Sequence, residues 1–143
     1  MIEALSNPRY RSLSIVFLGI CCILALLAAI VGISDNLPGI LLVFGAVASF
    51  ILAFIHPWRS TKNFVKLLIA AILGLVLFGV LHNVFYGLAD MADGIPILQN
   101  MLKILDVASF LIALLICPPA IMIGLVGSIV MLIRNPPLST HED

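Results

Sequence analysis

Few side chains in this sequence can do chemistry, and the most suggestive of them share one stripe. His82 and Tyr86 are one helical turn apart, Asp90 follows a turn later, and Asn83 lies beside them. An imidazole, an amide and a phenol on one helix face can bind a polar ligand or pass a proton. Asp106 and Ser109 open the next apolar segment on the same side of the molecule. The expected ligand site is therefore a pocket built from His82, Asn83, Tyr86 and Asp106. A plainer reading has His82 and Asn83 hydrogen-bonding a neighbouring helix, with Tyr86 as an interfacial aromatic. A hydrolase would need a nucleophile within reach of the His82 base. Ser109 is the one partner in view, and nothing local positions the two, so no catalytic residue is assigned.

The remaining candidates point away from cofactor chemistry. Haem ligation uses imidazole, but His56 and His82 fall roughly 25 Å apart in depth along their helices, too far to share one haem. His141 is near the end of the chain. Cys21 and Cys22 are adjacent and Cys117 is distant, with no CxxC pair. On the expected topology Cys21 lies about 12 Å from one face and Cys117 roughly twice that, so they pack as small apolar residues rather than forming a disulfide. No metal site and no cofactor is expected. Pro118 and Pro119 interrupt the last apolar run, where the carbonyls of Leu114 and Leu115 lose their donors. Such a helix break lines ion or substrate sites in transporters; as a plain kink it carries no function. No phosphate-cradling glycine loop, HExxH, dinucleotide fingerprint or nucleophile elbow is present.

These residues must be held by elements suited to lipid. The chain of 143 residues is 63% hydrophobic and 10% charged, with a mean hydropathy of +1.28. Soluble domains carry about 25% charged residues, and the polar side chains here are too few to cover a soluble surface. Seven basic residues balance seven acidic ones, and no basic run interleaves with aromatics, so nucleic acid is excluded as a partner.

Crossing a bilayer core of about 30 Å takes roughly 20 apolar residues. Four runs qualify, at about 13–33, 37–55, 64–88 and 107–133. Asp35, Asn36 and Pro38 open the second and Pro57 closes it. The first run is too long for the apolar core of a signal peptide and no cleavage pattern follows it. Arg9, Arg11, Arg59, Lys62, Lys66 and Arg134 fall on one side of these spans, while the other side has Lys103 as its one basic residue together with Asp35, Asp90, Asp93 and Asp106. The positive-inside rule then puts both termini in the cytoplasm, with Tyr10 and Trp58 at the inner interface and Tyr86 near the outer one.

Each span also carries small residues at four-residue spacing, which allow helices to approach in lipid. These are Ala25 with Ala29 and Ala28 with Gly32; Gly45, Ser49 and Ala53; Ala70 and Gly74; and Ala120, Gly124 and Ser128. The expected fold is an all-α integral membrane protein. Its four-transmembrane-helix bundle spans 13–135, after a cytoplasmic segment 1–12 and before a disordered cytoplasmic tail 136–143. Residues 96–106 read as a short amphipathic segment at the outer interface or as the protruding start of the fourth helix.

The function expected from this pattern is non-enzymatic: a structural or assembly subunit of a homo-oligomer or of a larger membrane complex. Its partners would be the lipid bilayer and itself or another membrane protein, in a prokaryotic plasma membrane. One alternative is a small oligomeric channel or carrier using the Pro118-Pro119 break and the His82 stripe. The other is an outer-leaflet ligand or lipid site.

Overall fold

The structure, a computed structural model, describes residues 7–33 and 36–134. Asp35, His141, residues 1–6 and the tail 136–143 lie outside the described residues. Among the described residues the chain is all helical, and four helices are long and apolar enough to cross a membrane. We number them α1 (Pro8–Val31), α2 (Leu37–Ile55), α3 (Thr61–Met91) and α4 (Pro96–Arg134). At 1.5 Å per residue α3 is about 46 Å long and α4 about 58 Å. Both exceed a bilayer core and must tilt or project beyond it.

The ends of the helices follow from local chemistry. Gly32, at φ +85°, ends α1 in the left-handed conformation that glycine tolerates, and Gly94, at φ +95°, does the same in the turn between α3 and α4. Pro38 and Pro96 sit in the first turns of α2 and α4, where a missing N–H costs nothing. Asn36 occupies the N-cap position of α2, yet its side chain makes no cap there. Its Nδ2 instead donates to the Val31 carbonyl at 3.0 Å, satisfying an orphan acceptor at the end of α1.

The small residues decide which helices meet. At the level of the backbone α1 lies against α2 alone and α3 against α4 alone, and the two hairpins meet where α2 runs beside α4. Ser14 and Ala28 of α1 face Ala46, Ser49 and Ala53 of α2 in the first seam, all of them buried. In the second seam Ala71, Ala113, Cys117, Ala120 and Gly124 are buried. A Cβ on Gly124 would stand 2.8 Å from the Leu68 nitrogen and 2.9 Å from its Cα, so backbone packs on backbone there. Gly127 likewise leaves room for the Phe64 ring. Phe64, Ile55 and Met131 form a core at the end of the molecule that carries the α2–α3 connection, with Trp58 edge-on to Phe64 at 5.6 Å.

The outer faces are covered by large apolar side chains. Ile23, Leu26, Ile30, Leu73, Val76, Ile104 and Ile133 all stand exposed. Such a surface is at home only against lipid or another apolar helix.

Midway along α4 the regular hydrogen-bond ladder changes. Residues Ile112–Ile116 form a π-turn, closed by the Cys117 N–H donating to the Ile112 carbonyl. Pro118 and Pro119 follow at once, in the first turn of the α-helical stretch Cys117–Arg134. There the chain continues as helix, and widening the preceding turn is one of the ways a helix accommodates prolines.

Candidate functional site

The register of the second hairpin brings the polar residues together. As α3 rises through His82, Tyr86 and Asp90, each a turn apart, α4 descends antiparallel through Phe110, Asp106, Lys103 and Gln99. The tight connection at Gly94 and Pro96 sets that alignment. His82 therefore faces Asp106 and Phe110, and Tyr86 and Asp90 face Lys103 and Gln99.

The closest contact joins His82 Nδ1 to Asp106 Oδ1 at 2.6 Å. Their side chains are 33% and 14% exposed, and neither atom has another hydrogen-bond partner. The ring N–H is off line for an ideal hydrogen bond, so the contact acts as an ion pair when the imidazole is protonated. A carboxylate beside Nδ1 favours the tautomer that carries its proton there, which leaves Nε2 with a lone pair. The Phe110 ring packs on the imidazole at 5.1 Å and 46°, fixing its orientation from the other side.

Two hollows flank this pair. A cleft of about 440 Å³ is lined by Tyr86, Ala89, Asp90, Gln99, Lys103, Asp106 and Val107. A hollow of about 260 Å³ on the other side is lined by His82, Asn83, Phe110 and Pro118 with neighbouring apolar residues. The structure thus groups Tyr86 with Asp106 in the cleft and joins His82 to Asp106 at its wall. Asn83 stands apart from the cleft. It is exposed, and its Nδ2 donates to the Gly79 carbonyl of its own helix at 2.8 Å. A helical amide free to bond the carbonyl four residues back competes with any role across the interface.

Three cleft residues were not assigned to the site from the sequence. Lys103 and Gln99 belong to the amphipathic segment 96–106, and Asp90 ends the α3 stripe. The spacing 99, 103, 106 already places them on one helix face with Asp106. What the spacing lacks is the knowledge that this face meets α3.

The other candidates sit elsewhere. His56 lies at the opposite end of the molecule, with Tyr10 edge-on at 5.8 Å and Phe17 at 6.1 Å. Its Nδ1 approaches the Leu52 carbonyl at 3.3 Å, and its Nε2 is buried without a partner. The three cysteines are free: Cys22 is exposed, Cys21 half-buried, and Cys117 is buried, its Sγ 3.4 Å from where a side chain on Gly74 would begin. Among the described residues no group of three His, Cys, Asp or Glu is placed to hold a metal ion. Ser109 is buried in the helix seam and lines neither hollow beside His82.

Chemically the cleft offers both signs of charge together with neutral donors. Its one hydroxyl is the phenol of Tyr86, and no serine, threonine or cysteine lines it. Compared with protein-family models, curated proteins and solved structures, the chain finds no match.

Proposed function

We propose that the protein is a small non-enzymatic membrane subunit, working by association with a second copy or with a larger membrane complex. In this reading both termini are cytoplasmic, the α3–α4 connection is outside, and the membrane is a prokaryotic plasma membrane. The four helices form an open bundle of two hairpins, and the first turns of α4 form an amphipathic segment at the outer interface. The basic residues at the α2–α3 connection and the acidic ones near the α3–α4 connection support this orientation.

One observation carries the reading. Because the backbone of α1 lies against that of α2 alone among the described helices, a groove of about 530 Å³ stays open along the first hairpin. Ala25 and Ala29 of α1 form one wall, Val47 and Phe50 of α2 the other, and Ile116 of the π-turn lies at its edge. Ala25 and Ala29 are exposed at four-residue spacing, the arrangement that lets a further helix approach closely in lipid. Extraction in mild detergent followed by native mass spectrometry tests it. A discrete oligomer or a complex with one defined protein is expected, dispersed to monomer by Ala25→Leu with Ala29→Leu. A wild-type chain that is monomeric throughout overturns the reading.

A second reading, a small oligomeric carrier, is favoured by one contact. His82 and Pro118 line the same hollow, so the polar stripe and the proline pair adjoin. Flux of protons or small ions in liposomes should then fall in His82→Ala, and unchanged flux removes the idea.

A further inference from the structure

The cleft between α3 and α4 does not end at its polar lining. Lys103 and Val107 belong both to the cleft and to an adjoining groove of about 650 Å³. It is completed by Asn100, Ile104, Ala108 and Leu111, all on the same face of α4, so past Lys103 this shallow, open surface becomes apolar. From Lys103 to Leu111 it follows α4 for about 12 Å along the helix axis, toward the apolar middle of the span. A charged cavity that continues into an apolar helix face matches an amphiphile, head in the cavity and chain along the face.

The charges select the head. Two carboxylates, Asp90 and Asp106, stand against one ammonium, Lys103. Among the described residues neither Lys103 nor Asp90 forms an ion pair, so both are available to a ligand. A purely anionic head would meet an excess of negative charge, and a purely cationic one would meet Lys103. A head with both signs is complementary: its phosphate takes Lys103, with the Gln99 amide and the Tyr86 hydroxyl as further donors, and its cation takes Asp90 and Asp106. A quaternary ammonium is held by a cage of aromatic faces, and Tyr86 is the single aromatic in the lining. Carboxylates instead fit a primary ammonium, which donates hydrogen bonds to them.

We infer that the cleft binds the headgroup of a phospholipid carrying a phosphate and a primary ammonium, with an acyl chain in the groove along Lys103, Ile104 and Leu111. The site is separate from the groove between α1 and α2 and does not depend on assembly.

The full-length protein in nanodiscs of equal phosphatidylethanolamine, phosphatidylcholine and phosphatidylglycerol, all with dioleoyl chains, provides the test. Lipids that stay bound on release are identified by native mass spectrometry. Phosphatidylethanolamine is expected to be retained over the other two. Asp106→Asn should lower that preference by about tenfold, the scale of one charge-assisted hydrogen bond, and Lys103→Gln, at an exposed position, should lower retention of all three lipids alike by a similar factor, since each carries a phosphate. Circular dichroism of both variants verifies their helices. Equal retention of the three lipids, preference for phosphatidylglycerol, an unchanged preference in Asp106→Asn, or undiminished retention in Lys103→Gln overturns the assignment. Soluble O-phosphoethanolamine serves as the second arm. If it displaces the lipid at equal concentration, the head alone accounts for binding and the lipid assignment fails; if it does not, the acyl groove contributes as inferred.

Discussion

His82 and Asp106, joined at 2.6 Å, form the partition between two cavities: Asp106 lines the polar cleft and His82 the hollow that reaches Pro118. The partition predicts unequal costs for its removal. His82→Ala leaves a carboxylate that is 14% exposed without its partner, and thermal unfolding in mild detergent should show a loss of about 1–3 kcal/mol. Replacing both residues by leucine removes the stranded charge and should recover most of that loss. A double variant as unstable as His82→Ala would contradict the account.

Gly127 lies under the Phe64 ring, in a place that any side chain would have to share. Gly127→Val should cost about 1–3 kcal/mol by overpacking. The cost should shrink when Phe64 is first cut back to alanine, since the two changes then complement each other. A double-mutant cycle measures the coupling, and strict additivity would argue against the contact.

Gly124 and Ser128 belong to one small-residue stripe but should respond oppositely to alanine. Gly124→Ala drives a methyl against the Leu68 backbone, which has no rotamer with which to yield. Ser128 donates to the Gly124 carbonyl of its own helix at 2.6 Å and spends its hydroxyl there. Ser128→Ala should therefore change stability by no more than about 0.5 kcal/mol. Equal unfolding temperatures for the two variants would overturn this distinction.

Asn36 ties the end of α1 across the turn through its bond to Val31. Asn36→Ala should loosen that corner by about 1 kcal/mol or less, given its exposure. Hydrogen exchange checks it: the last turn of α1 is expected to exchange faster, while the α3–α4 seam is unchanged. Faster exchange in both places would show that the turn also supports the second hairpin.

Much of this was legible from the residues alone. The four apolar runs, the glycine and proline punctuation, and the polar stripe from His82 to Asp90 all follow from hydropathy and helical spacing. The approach of Asp106 to His82 was foreseeable too, since both lie toward the α3–α4 connection. The phase of each helix was harder to read. On α3 the stripe expected at Ala70 and Gly74 is met at one position: Gly74 lies against Cys117, whereas Ala71 is buried and Ala70 stays exposed. On α1 the buried alanine is Ala28, while Ala25 and Ala29 face outward. In a soluble helix polar residues mark the outer face. Here leucine and isoleucine suit lipid and protein equally, so the pattern cannot say which small residues meet a neighbour. The π-turn was out of reach for a related reason: the prolines announce a disturbance, not the form it takes.

That turn governs how the two halves of α4 are phased. Ser109, Ala113 and Cys117 are buried in succession, four residues apart each time. A regular α-helix would carry Cys117 about 80° round from Ser109 over that stretch. The wider turn at Ile112–Ile116 takes up the excess and keeps all three on one face. Deleting one residue there would barely alter composition or hydropathy. It would return the stretch to regular α-helix, in which Ser109 and Cys117, now seven residues apart, stay within about 20° of one another. Asp106 and Lys103 would keep their place against α3. The wider turn is thus a place where the helix stores one surplus residue, keeping its two halves in phase although the stretch is one amino acid longer than a regular helix would need.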